Sequence, residues 1–221
     1  MDFDDFVVRN PPVGYLKVIL GCMFSGKTSE LLKEYRRWSA CGYECLVINH
    51  SSDTRYSETA EQTCTHDGFM VNSIPVGDTL FDFFKKESFI SRYDVILINE
   101  GQFFEDLYDF TNYLVNKKQK KVFICGLNGD FKQRKFGSIL DVIPLCDDLV
   151  KLDALCSHCK DKPGIFTFRL TNEEQQRIIG SNNYKPVCRR CYNHLSQKQK
   201  QYQQVNTKQK INTKQKINII A

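Results

Sequence analysis

The sequence predicts an α/β domain, a parallel sheet with helices on both faces, followed by a small metal-binding module and a low-complexity tail. Three observations carry this expectation. Short, apolar, β-branched runs alternate with helix-patterned segments between residues 15 and 126, the arrangement that parallel sheets require. A glycine-rich loop closes the first of these runs. Two Cys-x-x-Cys pairs appear where the alternation stops.

Taken in order, residues 1–14 form an N-terminal tail, and residues 15–20, YLKVIL, read as a buried strand. The loop GCMFSGKT follows, and then a helix over 29–37 with Leu31, Leu32 and Tyr35 on one face. Residues 44–48, 95–98 and 121–126 supply three further strands, and a helix spans 103–117 with Leu107, Phe110 and Leu114 on its apolar side. The polar, turn-rich span 49–75 reads as a long loop or an irregular hairpin. The main domain thus covers 15–152. A second module, 153–195, holds the cysteine pairs. Residues 196–221 are rich in Gln, Asn and Lys, repeat NTKQKI at 206–211 and 212–217, and are expected to be disordered.

GCMFSGKT, Gly21 to Thr28, fits G-x-x-x-x-G-K-[ST]. Its glycines let successive backbone N–H groups turn inward on phosphate oxygens. Lys27 brings a point charge to the β- and γ-phosphates, and the Thr28 hydroxyl can ligate magnesium. A helix opening directly behind the loop adds its positive end. Cys156-x-x-Cys159 and Cys188-x-x-Cys191 offer four thiolates for one tetrahedral zinc. A redox Cys-x-x-Cys pair is the alternative, and His158 and His194 are possible substitute ligands. The other six cysteines are scattered and read as buried thiols. The apolar run Val95–Ile98 ends in Asn99-Glu100, where phosphoryl-transferring enzymes commonly place a magnesium-holding Asp. Asp53–Tyr56 (DTRY) and Thr65–Gly68 (THDG) lie in the polar span and carry no signal alone.

Composition narrows the partners. The formal charge of +5 comes from the tail: residues 196–221 hold six Lys and no acid, so the rest of the chain sits near −1. A body near neutrality argues against specific nucleic-acid binding. No apolar run reaches membrane-spanning length. The acidic start, MDFDDF, does not resemble a secretory leader. A cytoplasmic chain with reduced cysteines is therefore expected.

Read together and in order, GCMFSGKT, DTRY, THD, EGQFF, Phe136-Gly137 and the paired cysteines resemble the thymidine kinases of the cytosolic, type II family, from about Tyr15 to Tyr192. The resemblance implies a RecA-like P-loop fold, transfer of the ATP γ-phosphate to the 5′-hydroxyl of thymidine or deoxyuridine, homotetramers, and inhibition by dTTP. It implies that Gly21, Cys22, Met23, Phe24, Ser25, Gly26, Lys27 and Thr28 hold ATP, with Asp53, Glu100, Gly101 and Gln102 beside them. Glu100 would be the catalytic carboxylate, with Lys27 and Arg55 at the transferring phosphoryl. Met23, Phe103, Leu127, Phe131 and Phe136 would wall the nucleoside. A lasso loop anchored by structural zinc would read the base with its backbone, the matching positions here being Thr167, Gln176, Arg177, Ile178, Ile179, Gly180 and Tyr184. Magnesium would fall to Thr28 and Asn99, where the family normally has Asp.

Three other readings compete: a P-loop ATPase of another kind, a zinc-ribbon nucleic-acid binder with a vestigial P-loop, and a catalytically dead paralogue marked by Asn99. Hydrolysis of ATP without nucleoside would favour the first. DNA affinity lost on removing 196–221 would assign it to the tail.

Overall fold

The computed structural model describes residues 13–53, 61–64, 68–84, 87–178, 180 and 182–202. A six-stranded sheet forms its centre. In chain order the strands are β1 (Tyr15–Gly21), β2 (Cys45–His50), a hairpin of β3 (Gln62–Cys64) and β4 (Met70–Asn72), then β5 (Ile74–Val76), β6 (Val95–Ile98), β7 (Lys121–Leu127) and β8 (Asp148–Leu152). The sheet runs β5-β2-β6-β7-β1-β8, and every pairing in it is parallel.

Two helical layers explain why the strands are apolar almost throughout. On one face Leu16, Val18, Ile48, Ile96, Ile98 and Ile124 pack with Leu107, Phe110 and Leu114. On the other, Ile19, Val47, Leu97 and Phe123 pack with Leu31 and Leu32 of α1 (Lys27–Ala40). Alternate residues of a strand point to opposite faces, so a sheet covered on both sides leaves no position for a polar residue. Lys17 is the exception on β1. It is held by Glu34 of α1 at 3.0 Å and by Asp148 of β8 at 3.4 Å.

The four strands expected from sequence are all present, each within a residue or two of its expected bounds. The two the sequence did not announce are the edges. β5 carries Pro75, which an edge strand tolerates because one side of its ladder is unused. β8, DLVKL, alternates between half-buried and exposed and so reads as polar. The hairpin expected somewhere in 49–75 is β3–β4, and β5 follows it directly.

The helix expected over 103–117 begins late. Residues Gly101–Phe103 form a 3₁₀ turn, α4 spans Leu107–Asn112, and a π-helical turn completes Tyr113–Lys117. The cause lies upstream. Glu100 adopts left-handed backbone angles (φ 54°). Asp106, which precedes α4, sends its carboxylate to the Leu80 and Phe81 N–H groups at 2.9 and 2.8 Å, capping α2 (Leu80–Phe83). A short helix, α3 (Glu87–Ile90), leads into β6.

Past β8 the chain makes two small antiparallel pairs, β9 (Ala154–Leu155) with β10 (Pro163–Gly164) and β11 (Phe166–Arg169) with β12 (Tyr184–Val187). The strap 170–183 joins β11 to β12. A helix over 189–202, α5, ends the described chain. Disorder was expected from Ser196, but helix continues to Tyr202. Extending an established helix through Gln and Lys is cheap, and the Gln199 amide reaches Thr171 O and Asn172 Oδ1 at 3.2 Å. The remainder of the tail lies outside the described residues.

Candidate active site

The carboxyl ends of β1, β2, β6 and β7 open into one cleft, continuous with solvent. Parallel α/β sheets bind ligands at this edge. Each strand delivers one part of the wall.

β1 delivers the glycine-rich loop. A Cβ on Gly21 would fall on Ser25 Oγ and lie 2.7 Å from Leu152 O, so only glycine lets the loop leave the strand here. Gly26 takes φ 81°, a left-handed turn that starts α1. Lys27, largely buried, donates to Cys22 O at 2.7 Å. Met23, Phe24, Gly26, Lys27 and Thr28 line the cleft. Gly21, Cys22 and Ser25 lie behind the lining: the Ser25 hydroxyl closes the turn on Cys22 O at 2.9 Å, and the Cys22 thiol donates to Gly164 O at 3.0 Å.

β6 delivers Glu100, 7% exposed. Its left-handed backbone is an uncommon conformation for a residue with a side chain, and such strain gathers at functional sites. The Gln102 amide donates to Glu100 Oε2 at 2.6 Å, and its own oxygen accepts from Leu127 N at 2.9 Å. Gly101 and Gln102 therefore stand behind Glu100 rather than in the lining. Gly137 (φ 58°) presses on the Gln102 carbonyl with no room for a Cβ, which explains the glycine of Phe136-Gly137.

Asn99 is 1% exposed and does not line the cleft. Its amide donates to Asn49 Oδ1 at 2.9 Å and Asp53 Oδ2 at 3.4 Å, and its oxygen accepts the Cys125 thiol at 3.0 Å. Its hydrogen-bond partner Asp53, after β2, does line the cleft. Arg55 and the His66 turn lie outside the described residues.

The other half of the cleft is lined by Phe103, Leu127, Phe131, Phe136 and Thr167, and by Gln176, Arg177, Ile178, Gly180 and Tyr184 of the strap and β12. Ile179 is outside the described residues. Thr167 Oγ1 accepts from Met23 N at 3.0 Å, so the two halves touch.

A family model described as Thymidine kinase matches residues 14–192. The chain belongs to the thymidine kinase family. It is 39% identical over 180 residues to the cytosolic thymidine kinase of Homo sapiens, covering 81% of this chain and 73% of that one. To the thymidine kinase of Myxoma virus (strain Uriarra) it is 37% identical over 180 residues, covering 81% and 96%. The cytosolic thymidine kinase of Gallus gallus is 39% identical over 182 residues, covering 82% and 78%.

Thymidine kinase membership gives the cysteine pairs a place. The ligand sulfurs of Cys156, Cys159, Cys188 and Cys191 all lie within 4.8 Å of one another, and Cys159 Sγ is 3.9 Å from Cys188 Sγ. Four thiolates about 2.3 Å from one tetrahedral zinc would sit at about this spacing, so the donor set fits. Neither His158 nor His194 belongs to the group. No disulfide joins the cysteines; of the six outside this group, Cys22 and Cys125 are buried, but Cys45, Cys64 and Cys146 are half-buried and Cys41 is exposed, so the expectation of buried thiols fails for four of them. Burial acts to raise the Cys156 thiol pKa, but backbone N–H groups of Cys159, Cys188 and His158 outweigh it and hold it at about 6. Among the described residues no helix is long and apolar enough to cross a membrane.

Six lining residues escaped the sequence reading, Ser29, Ser52, Cys64, Gly129, Asp130 and Arg169, and the last two are buried and charged. Arg169, 2% exposed, stacks 3.5 Å from the Phe131 ring and donates to the strap carbonyls of Glu173, Gln175 and Gln176 and to Tyr184 Oη. Asp130, 5% exposed, folds the turn after β7 by accepting from Lys132 N and Arg134 N at 2.8 Å. An Arg in a strand and an Asp in a turn carry no motif. Only their burial marks them.

Proposed function

We propose that this chain transfers the γ-phosphate of ATP to the 5′-hydroxyl of thymidine, and of deoxyuridine, giving dTMP and ADP. The observation that carries the reading is Glu100: a buried carboxylate held by Gln102, in a strained turn, in the same cleft as Lys27 and Thr28. Membership in the thymidine kinase family supports the nucleoside as acceptor.

The residues divide the work of phosphoryl transfer, which is chiefly positioning and charge stabilisation. The N–H groups of the glycine-rich loop and the N-terminus of α1 cradle the phosphates, and Lys27 turns from Cys22 O to the β- and γ-oxygens. Phe103, Leu127 and Phe136 exclude water around the nucleoside. Glu100 accepts the 5′-hydroxyl proton as the new O–P bond forms and the bond to the ADP oxygen breaks. Magnesium, when bound, neutralises charge on the phosphates. Oxygen donors suited to such a hard cation are the Thr28 hydroxyl and the Asp53 carboxylate, with Asn99 acting on Asp53 through its amide. Structural zinc on the four cysteines anchors the base of the strap. A cytoplasmic homotetramer completes the reading, checked by light scattering of the purified chain.

A panel of nucleosides assayed with ATP and magnesium tests the proposal. Release of ADP that depends on thymidine is the expected result. ADP release without nucleoside would favour an ATPase, and nucleotide binding with no transfer a dead paralogue.

A further inference from the structure

We infer that Arg177 is a positioning residue that latches the strap shut across the nucleoside cleft, gripping the far wall through His50 and Asp78 rather than reading the base with its side chain. The inference rests on the thymidine kinase reading of the cleft, and it concerns side chains which that reading leaves without a task.

Consecutive strap residues reach opposite walls. The Gln176 amide donates to Asp130 Oδ2 at 2.9 Å and to Lys135 O at 3.2 Å, on the turn after β7. Arg177 goes the other way. Its guanidinium lies 4.3 Å from the Phe103 ring centre, donates to Asp78 Oδ1 at 3.3 Å and His50 Nδ1 at 3.0 Å, and meets Ser52 Oγ. Such stacking adds cation–π attraction to the polar grip. The strap is therefore clasped at two adjacent points with the cleft between them.

The geometry also sets the state of His50, which is 1% exposed. A guanidinium can only donate, and Ser52 N donates to the same nitrogen at 3.1 Å. Nδ1 must therefore be a lone-pair acceptor, which puts the proton on Nε2, facing Asp78 Oδ1 at 3.1 Å. The charged groups acting on the ring are Arg177, Asp78 and Glu100, and the Phe103 and Phe104 rings pack against it. Burial, with Arg177 second, lowers the His50 pKa below its ordinary 6.5.

The test compares the full chain with Arg177→Ala in thymidine kinetics at pH 8. A latch that holds ground state and transition state alike acts on KM. At pH 8 the variant should raise the KM for thymidine about tenfold, one charge-assisted hydrogen bond's worth, with kcat within about twofold. Asp78, 60% exposed, permits a benign second variant: Asp78→Asn should raise KM alone but add little on top of Arg177→Ala. Without any nucleoside, amide exchange across 170–178 should quicken in Arg177→Ala. An unchanged KM, full additivity with Asp78→Asn, or unchanged exchange overturns the latch. If wild type released no thymidine-dependent ADP, the kinase reading would fall while the exchange measurement still judged the latch.

Discussion

The two halves of the cleft, which we propose hold phosphate and nucleoside respectively, are built by different means. The phosphate half is backbone: a loop at a strand end, Gly21 where a Cβ has no room, Gly26 at positive φ, and a helix N-terminus. The nucleoside half is side chains: Arg169 under the strap, Gln176 and Arg177 across it, and four thiols at its base. A phosphate group is the same in every nucleotide, so a rigid backbone cradle suffices. A nucleoside has to enter and leave, so its cover is fastened by bonds that can be undone.

That contrast can be broken by substitution. The largest effect is expected at Glu100→Gln, which keeps the shape of the turn and removes the base. Transfer should drop by about 10²- to 10⁴-fold, while ATP binding measured by calorimetry is retained. Survival of transfer would move the base elsewhere. Next comes removal of zinc by chelation or Cys156→Ser. The small core of Phe168, Val187 and the cysteines should unfold and thymidine affinity collapse, with ATP affinity falling only a few-fold. Equal loss of both would erase the distinction between the halves. Arg169→Met keeps the contact with Phe131 but leaves three strap carbonyls and Tyr184 without their donor, and should cost about 2–4 kcal/mol of unfolding free energy, read by denaturant titration. The smallest effect is expected at Asn99→Asp. It places a second carboxylate beside Asp53, restoring charge that magnesium prefers. The magnesium needed for half-maximal rate should fall a few-fold, and an unchanged or higher requirement would count against the Asn99–Asp53 tie.

The same division governs what the sequence discloses. Lys27, Thr28 and Glu100 were legible because their function is tied to local chain geometry, which leaves a fixed spacing of glycines and an apolar run. The strands β1, β2, β6 and β7 were legible because burial on both faces makes them apolar throughout. The edges β5 and β8 were not, since one unpaired side admits proline and lysine. Arg169, Asp130 and His50 were invisible for a third reason. Each acts on residues far along the chain or on backbone carbonyls, and neither leaves a pattern near the residue itself. The helix placed over 103–117 failed because residues 101–106 are spent on Glu100 and on capping α2, needs that periodicity does not register.

The bond from Met23 N to Thr167 Oγ1, together with the Cys22 thiol on Gly164 O, joins the loop that holds one substrate to the strands that cover the other. Binding free energies linked through such a junction are reciprocal. Whatever factor ATP adds to the grip on thymidine, thymidine returns to the grip on ATP, so the two substrates should be caught in concert and neither dissociation constant is a property of its own half alone.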